Sequence, residues 1–149
     1  MKLTKILVPS DFSAAGQTAL ETATALARDH GAKLLMLHVQ EPSVAFGGGE
    51  LYAGIPEVDE DELRRTLLEV KPTDDRVAVE HRLLLGSPAA TIVRTAEEEQ
   101  VDMIVMSTHG RTGLGRVLMG SVAEEVVRKA KCPVVTVKGA VHAAEAVAR

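Results

Sequence analysis

Aromatic residues are almost missing from this chain: it has no Trp, one Tyr and two Phe, 2% in all. A core must therefore be assembled from Ala, Val, Leu, Ile and Met, and the aromatic platforms on which proteins stack single-stranded nucleic acid are not expected. Basic charge is not in excess either. Seventeen Lys and Arg stand against 21 Asp and Glu, and the cations are scattered, so the footprint of a phosphate-backbone binder is absent and nucleic acid is not an expected partner. A lone cysteine, Cys132, excludes an intrachain disulfide, and no Cys and His cluster has zinc spacing, which is compatible with a reducing compartment. Long apolar runs are lacking too. The run Ile6, Leu7, Val8 is stopped by Pro9, far short of a signal peptide or a membrane span, so a cytoplasmic protein with no membrane partner is expected.

What is present is a rhythm. With 149 residues, 46% of them hydrophobic, the chain has the material for one domain over 1–138 and a short Ala-rich tail over 139–149. Short β-branched and Leu-rich runs at 4–9, 33–39, 77–85, 101–106 and 134–138 read as strands. Most are nearly continuous in apolar residues, as parallel strands covered on both faces must be. Between them apolar residues recur at helical spacing. Ala15, Ala19, Leu20, Ala23, Leu26 and Ala27 form one stripe, with Ser13 or Asp11 to cap its start and Gly31 to end it. A helix over 58–70 points Leu63, Leu67, Leu68 and Val70 inward. A third opens with Ser87 and Pro88 and runs into the acidic residues 97–99, read as a solvated face. A fourth begins at Ser121, which has capping-box spacing to Glu124. Residues 40–56 read as a long loop.

Five parallel strands joined by right-handed crossovers predict an α/β fold, a doubly wound three-layer sandwich with strand order 3-2-1-4-5. Ligands of such sheets bind beyond the carboxyl ends of the strands where the order reverses. Two turns fall there, at residues 9–11 and 107–110. The segment 107–121, STHGRTGLGRVLMGS, is punctuated by glycines and leads into the fourth helix. Glycine lets the backbone approach an anion closely, and the unpaired amides of a helix start favour negative charge by about 0.3–1 kcal/mol. Neither a P-loop lysine nor a Gly-x-Gly-x-x-Gly after the first strand occurs, so those two nucleotide fingerprints do not apply.

The segments KILVPSDFS and VDMIVMSTHGRTGLGRVLMGSVAEEVVRKAKCPVVTV resemble the N-terminal strand and the C-terminal half of universal stress proteins. Their nucleotide-binding members show Gly, two residues, Gly, nine residues, Gly, then Ser or Thr. Gly110, Gly120 and Ser121 match the later positions, and Ser107 replaces the first glycine. If position 107 requires left-handed backbone, serine there costs roughly 1–2 kcal/mol, or about five- to thirtyfold in affinity; if only a small side chain is needed, it costs little. The resemblance implies an adenine nucleotide, ATP or AMP, with Mg²⁺ carried on its phosphates. Asp11 would meet the ribose side, Pro9 and Ser10 the pocket wall, and Val39 the adenine edge. Met106, Ser107, His109 and Gly110 would follow the ribose and phosphates, and Gly120, Ser121 and Val122 would hold the phosphate end. It also implies a homodimer paired through strand 134–138, which would otherwise be an uncovered sheet edge.

Plainer readings stand beside these. Ser121 and Asp11 are also ordinary helix caps, His109 an ordinary loop residue, and His38 and His81 hydrogen-bonded structural residues of strands. Three functions remain open: a regulatory module that binds nucleotide with little or no turnover, a dimeric stress-response interaction protein that binds none, and a slow ATP hydrolase with only Asp11 and His109 as candidate bases.

Overall fold

The computed structural model describes residues 1–42, 58–109 and 119–139. Within them strands and helices alternate as β1 (Lys5–Pro9), α1 (Ala14–His30), β2 (Lys33–Gln40), α2 (Glu60–Glu69), β3 (Val79–Leu85), α3 (Pro88–Glu98), β4 (Met103–Ser107), α4 (Ser121–Lys129) and β5 (Val134–Val137). The strands pair in parallel in the order β3-β2-β1-β4-β5. This is the doubly wound sheet that the βα rhythm demands.

Side-chain alternation along the strands builds two cores. Ile6, Val8, Leu34, Met36 and Val105 pack with Ala19, Leu20 and Ala23 of α1, whereas Leu7, Leu35, Leu37 and Ile104 pack with α3 and α4. Burying one side chain such as Leu7 completely contributes about 1.5–3 kcal/mol, so the central strands hold the layers together without aromatics.

Local chemistry sets the helix ends. Gly31 takes the left-handed backbone at φ 67° that closes α1, and Ala32 N–H donates to the Ala27 carbonyl at 2.8 Å. Asp59 caps α2, accepting from the amides of Asp61 and Glu62 at 3.0 and 3.3 Å. Of the α2 residues expected to point inward, Leu67 is buried but Leu68 is 49% exposed, because the short helix meets the sheet along too narrow a stripe to cover both. The acidic run also departs from a purely solvated face. Glu99 bridges Lys5, at 3.0 Å, and Arg82, and these two cations hold its carboxyl below the usual range. At the far end of the chain, a Cβ on Gly139 would lie 2.7 Å from the Ala15 Cβ, so the exit from β5 runs hard against the start of α1.

The amino ends of β1 and β4 are joined by Asp102. Its Oδ2 accepts from Thr4 N–H (2.8 Å), Thr4 Oγ1 (2.8 Å) and Lys5 N–H (3.0 Å), and these bonds, the Thr4 amide foremost, lower its pKa. A depressed carboxylate stabilises the fold above its unfolded pKa and loses that contribution as pH falls through the folded value. Asp102→Ala is expected to destabilise the protein by about 1 kcal/mol at neutral pH. The deficit should shrink as pH drops below the ordinary aspartate range; denaturant titrations of both proteins at several pH values measure it.

Candidate functional site

Beyond the carboxyl ends of β1 and β4 the neighbouring connections leave in opposite directions, and a cleft of about 400 Å³ opens between them. Pro9, Ser10 and Asp11 line it from the β1 turn, Val39 from the end of β2, Met106 and Ser107 from β4, and Gly120, Ser121 and Val122 from the start of α4. Nine residues singled out in the sequence thus meet in one cavity. His109 does not line it, and Gly110 lies outside the described residues. The cleft also recruits residues the sequence did not single out: His38, Gln40 and Glu41 beside Val39, Pro88 and Ile92 of α3, and Ala123 of α4. The only signal for the first three was their position flanking Val39 at the end of β2.

The β1–α1 turn is tightly specified. Ser10 N–H donates to the Leu37 carbonyl at 2.8 Å, tying the turn to β2. Phe12 N–H donates to Ser10 Oγ at 3.3 Å, and Ser13 N–H to Asp11 Oδ1 at 2.9 Å. Asp11 therefore organises the approach to α1, whereas Ser13, at the N-cap position, makes no side-chain capping bond. Phe12 sits at φ 63°, a left-handed conformation that costs a bulky residue about 1–2 kcal/mol. Its ring stacks on His38 with centroids 4.3 Å apart and planes at 25°. Strain of this kind persists only where its surroundings over-determine it.

At α4 the expected capping box does not form. Gly120 is the N-cap, at φ −68° and ψ 159°, and Ser121 is the first helical residue. The shift has a non-local cause: Gly120 N–H donates to the Thr108 carbonyl at 2.6 Å, while Thr108 N–H donates to the Val137 carbonyl at 3.0 Å, pinning the helix start to the ends of β4 and β5. Gly120 N–H is thereby used within the protein. The amides at the positive end of the α4 dipole that have no partner among the described residues belong to Ser121, Val122 and Ala123. The Ser121 hydroxyl, released from capping, makes no hydrogen bond among the described residues.

Ser107 closes β4 in extended backbone, in register with Val137, and its hydroxyl donates to the His109 carbonyl at 2.8 Å. Positive φ among the described non-glycine residues is confined to Phe12 and Gln100, so serine at position 107 carries no left-handed strain. His109 Nδ1 lies 3.0 Å from Thr108 Oγ1.

The charged side chains among the described residues lining the cleft are Asp11 and Glu41, both acidic. A second cavity, of about 380 Å³, lies at the opposite end of the sheet beside Arg28, Lys33 and Arg76. Those cations are paired with Asp29, Glu80 and Asp74 respectively, and the Arg76 guanidinium holds the Asp74 carboxyl at about 2. It lies by the carboxyl end of α1, where carbonyls rather than amides are left over, and so offers an anion little.

Residues 2–138 match the model of the Universal stress protein family. A universal stress protein of Methanocaldococcus jannaschii is 36% identical over 138 residues, 90% of this chain and 81% of its own. Among solved structures, a universal stress protein from Lactobacillus plantarum superposes with a TM-score of 0.72 at 27% identity, covering 93% of this chain and 99% of that one. The universal stress protein from Archaeoglobus fulgidus solved in complex with dAMP gives 0.66 at 25% identity, covering 93% and 100%. The family match runs through all five strands of the sheet, and this chain belongs to the universal stress protein family.

Proposed function

We propose that the cleft binds an adenine nucleotide, ATP or AMP, and that the protein is a stress-response regulatory module with little or no turnover. One observation carries this reading: the three unpaired amides at the start of α4 and the Ser121 hydroxyl border the same cavity as Asp11 and Val39. Phosphate would lie on the amides of Ser121, Val122 and Ala123, and the family's glycine pattern adds Gly110 to the phosphate-binding residues. Ribose would lie beside Asp11, between Ser10 and Met106, and the adenine edge against the end of β2 at Val39. The relative described in complex with dAMP supports a nucleotide of this kind. Mg²⁺ would be carried by phosphate oxygens and water; among the described residues no group of three or more His, Cys, Asp or Glu is placed to hold an ion.

We also propose that two copies pair through β5, the strand that ends the sheet beyond β4. Its four residues are only partly buried, and Val127 of the adjoining α4 is 45% exposed. A second copy about a twofold axis would cover both features.

Calorimetry with ATP and Mg²⁺ should give saturable, near-stoichiometric binding. Gly120→Val, which sets a branched side chain beside the amide cradle, is expected to weaken it at least tenfold, or about 1.4 kcal/mol, with an unchanged circular dichroism spectrum. Equal affinity in the variant would displace the phosphate from α4. Ser107→Gly is expected to change affinity by less than about threefold, because no strain is there to relieve. A five- to thirtyfold gain on the same calorimeter would mean that position 107 turns left-handed when nucleotide binds. Sedimentation velocity at micromolar concentration should report a dimer, and a monomer there would remove the β5 pairing.

A further inference from the structure

We propose that His38 is a positioning residue for the cleft, holding the turn of residues 10–13, and with it Asp11, in the shape that the ligand meets. The inference rests on the nucleotide reading above for its ligand, but its geometry is independent of it.

His38 is only 5% exposed, in a stretch of β2 otherwise made of Leu, Met and Val, where an imidazole is an unfavourable choice unless its polar atoms are used. One of them is. Nδ1 lies 2.7 Å from the Ser10 carbonyl oxygen, which can only accept, so Nδ1 carries a proton and donates it there. Nε2 is buried and has no partner among the described residues. The polar function of the ring is therefore spent on one bond, and that bond ends on the backbone of the cleft wall. Its face serves the same turn, because Phe12 stacks on it in its left-handed conformation.

The two hydrogen bonds from β2 grip Ser10 from both sides, the Leu37 carbonyl taking its N–H and His38 donating to its carbonyl. Asp11 follows directly, with its carboxylate on Ser13 N–H. Without the imidazole, the Ser10 carbonyl loses its donor, Phe12 loses the surface that keeps it at positive φ, and the segment carrying Asp11 relaxes away from the cleft.

The test compares His38→Leu, which keeps the volume but has no donor, with His38→Asn, whose amide can reach toward the Ser10 carbonyl. Affinity for ATP is read by calorimetry, and amide hydrogen exchange is followed at Phe12 and Ser13 and, as a control, at Ile104 and Val105 of β4. His38→Leu is expected to bind ATP about tenfold more weakly and to speed exchange at Phe12 and Ser13 with β4 unchanged, and His38→Asn should recover most of the loss. Unchanged affinity, or exchange that rises equally in β4, overturns the proposal by making His38 a plain core residue. If the unaltered protein binds no nucleotide, local loosening confined to the turn still upholds the positioning role while the nucleotide reading falls. Should the leucine variant not fold, ¹⁵N spectra of the unaltered protein decide: a ring carrying a proton at Nδ1 supports the proposal, and one protonated at Nε2 alone overturns it.

Discussion

Strand β1 is bonded on one side to β2 and on the other to β4, and the chain leaves those two neighbours toward opposite faces of the sheet. Everything else at the site depends on that reversal. On one side of β1 the connection runs back as α1, on the other the β4 exit leads to α4, and the gap between them is bordered by the turn after β1, the end of β2 and the start of α4. The two buried cores keep the gap from closing. Leu7, Leu37 and Ile104 below it are locked against α3 and α4, so the strand ends cannot collapse toward each other.

The wall of the cleft is then fixed by bonds between elements far apart in the chain. Thr108 takes the β5 carbonyl with its amide and gives its own carbonyl to Gly120, so the end of β4 sets the register of α4. On the other wall, Ser10 is gripped by β2. The acidic side chains of Asp11 and Glu41 thus border the same cavity as the fixed amide dipoles at the start of α4.

Much of this was legible in the sequence, and the rest was not for identifiable reasons. Runs such as KLLMLHV announce strands covered on both sides, and Gly31 and Pro88 announce helix ends, because each signal is local. The α4 cap was misplaced by one residue. Ser121 and Glu124 satisfy a capping box on paper, but the Thr108 carbonyl, distant in sequence, claims Gly120 and moves Ser121 into the helix. His38 was legible only as a hydrogen-bonded strand residue; its partner Ser10 and its stack on Phe12 arise when β1 and β2 pair. Glu99 reads as part of a solvated run until β1 and β3 bring Lys5 and Arg82 beneath it. In each case the missing information was a contact between separate elements of the fold rather than a residue type.

The approach of Gly139 to Ala15 turns two positions at opposite ends of the chain into neighbours. Any side chain at 139 would press on the first turn of α1, and α1 is entered directly from the segment that carries Asp11. A change where the last strand ends would therefore be transmitted, through one backbone contact, to the threshold of the first.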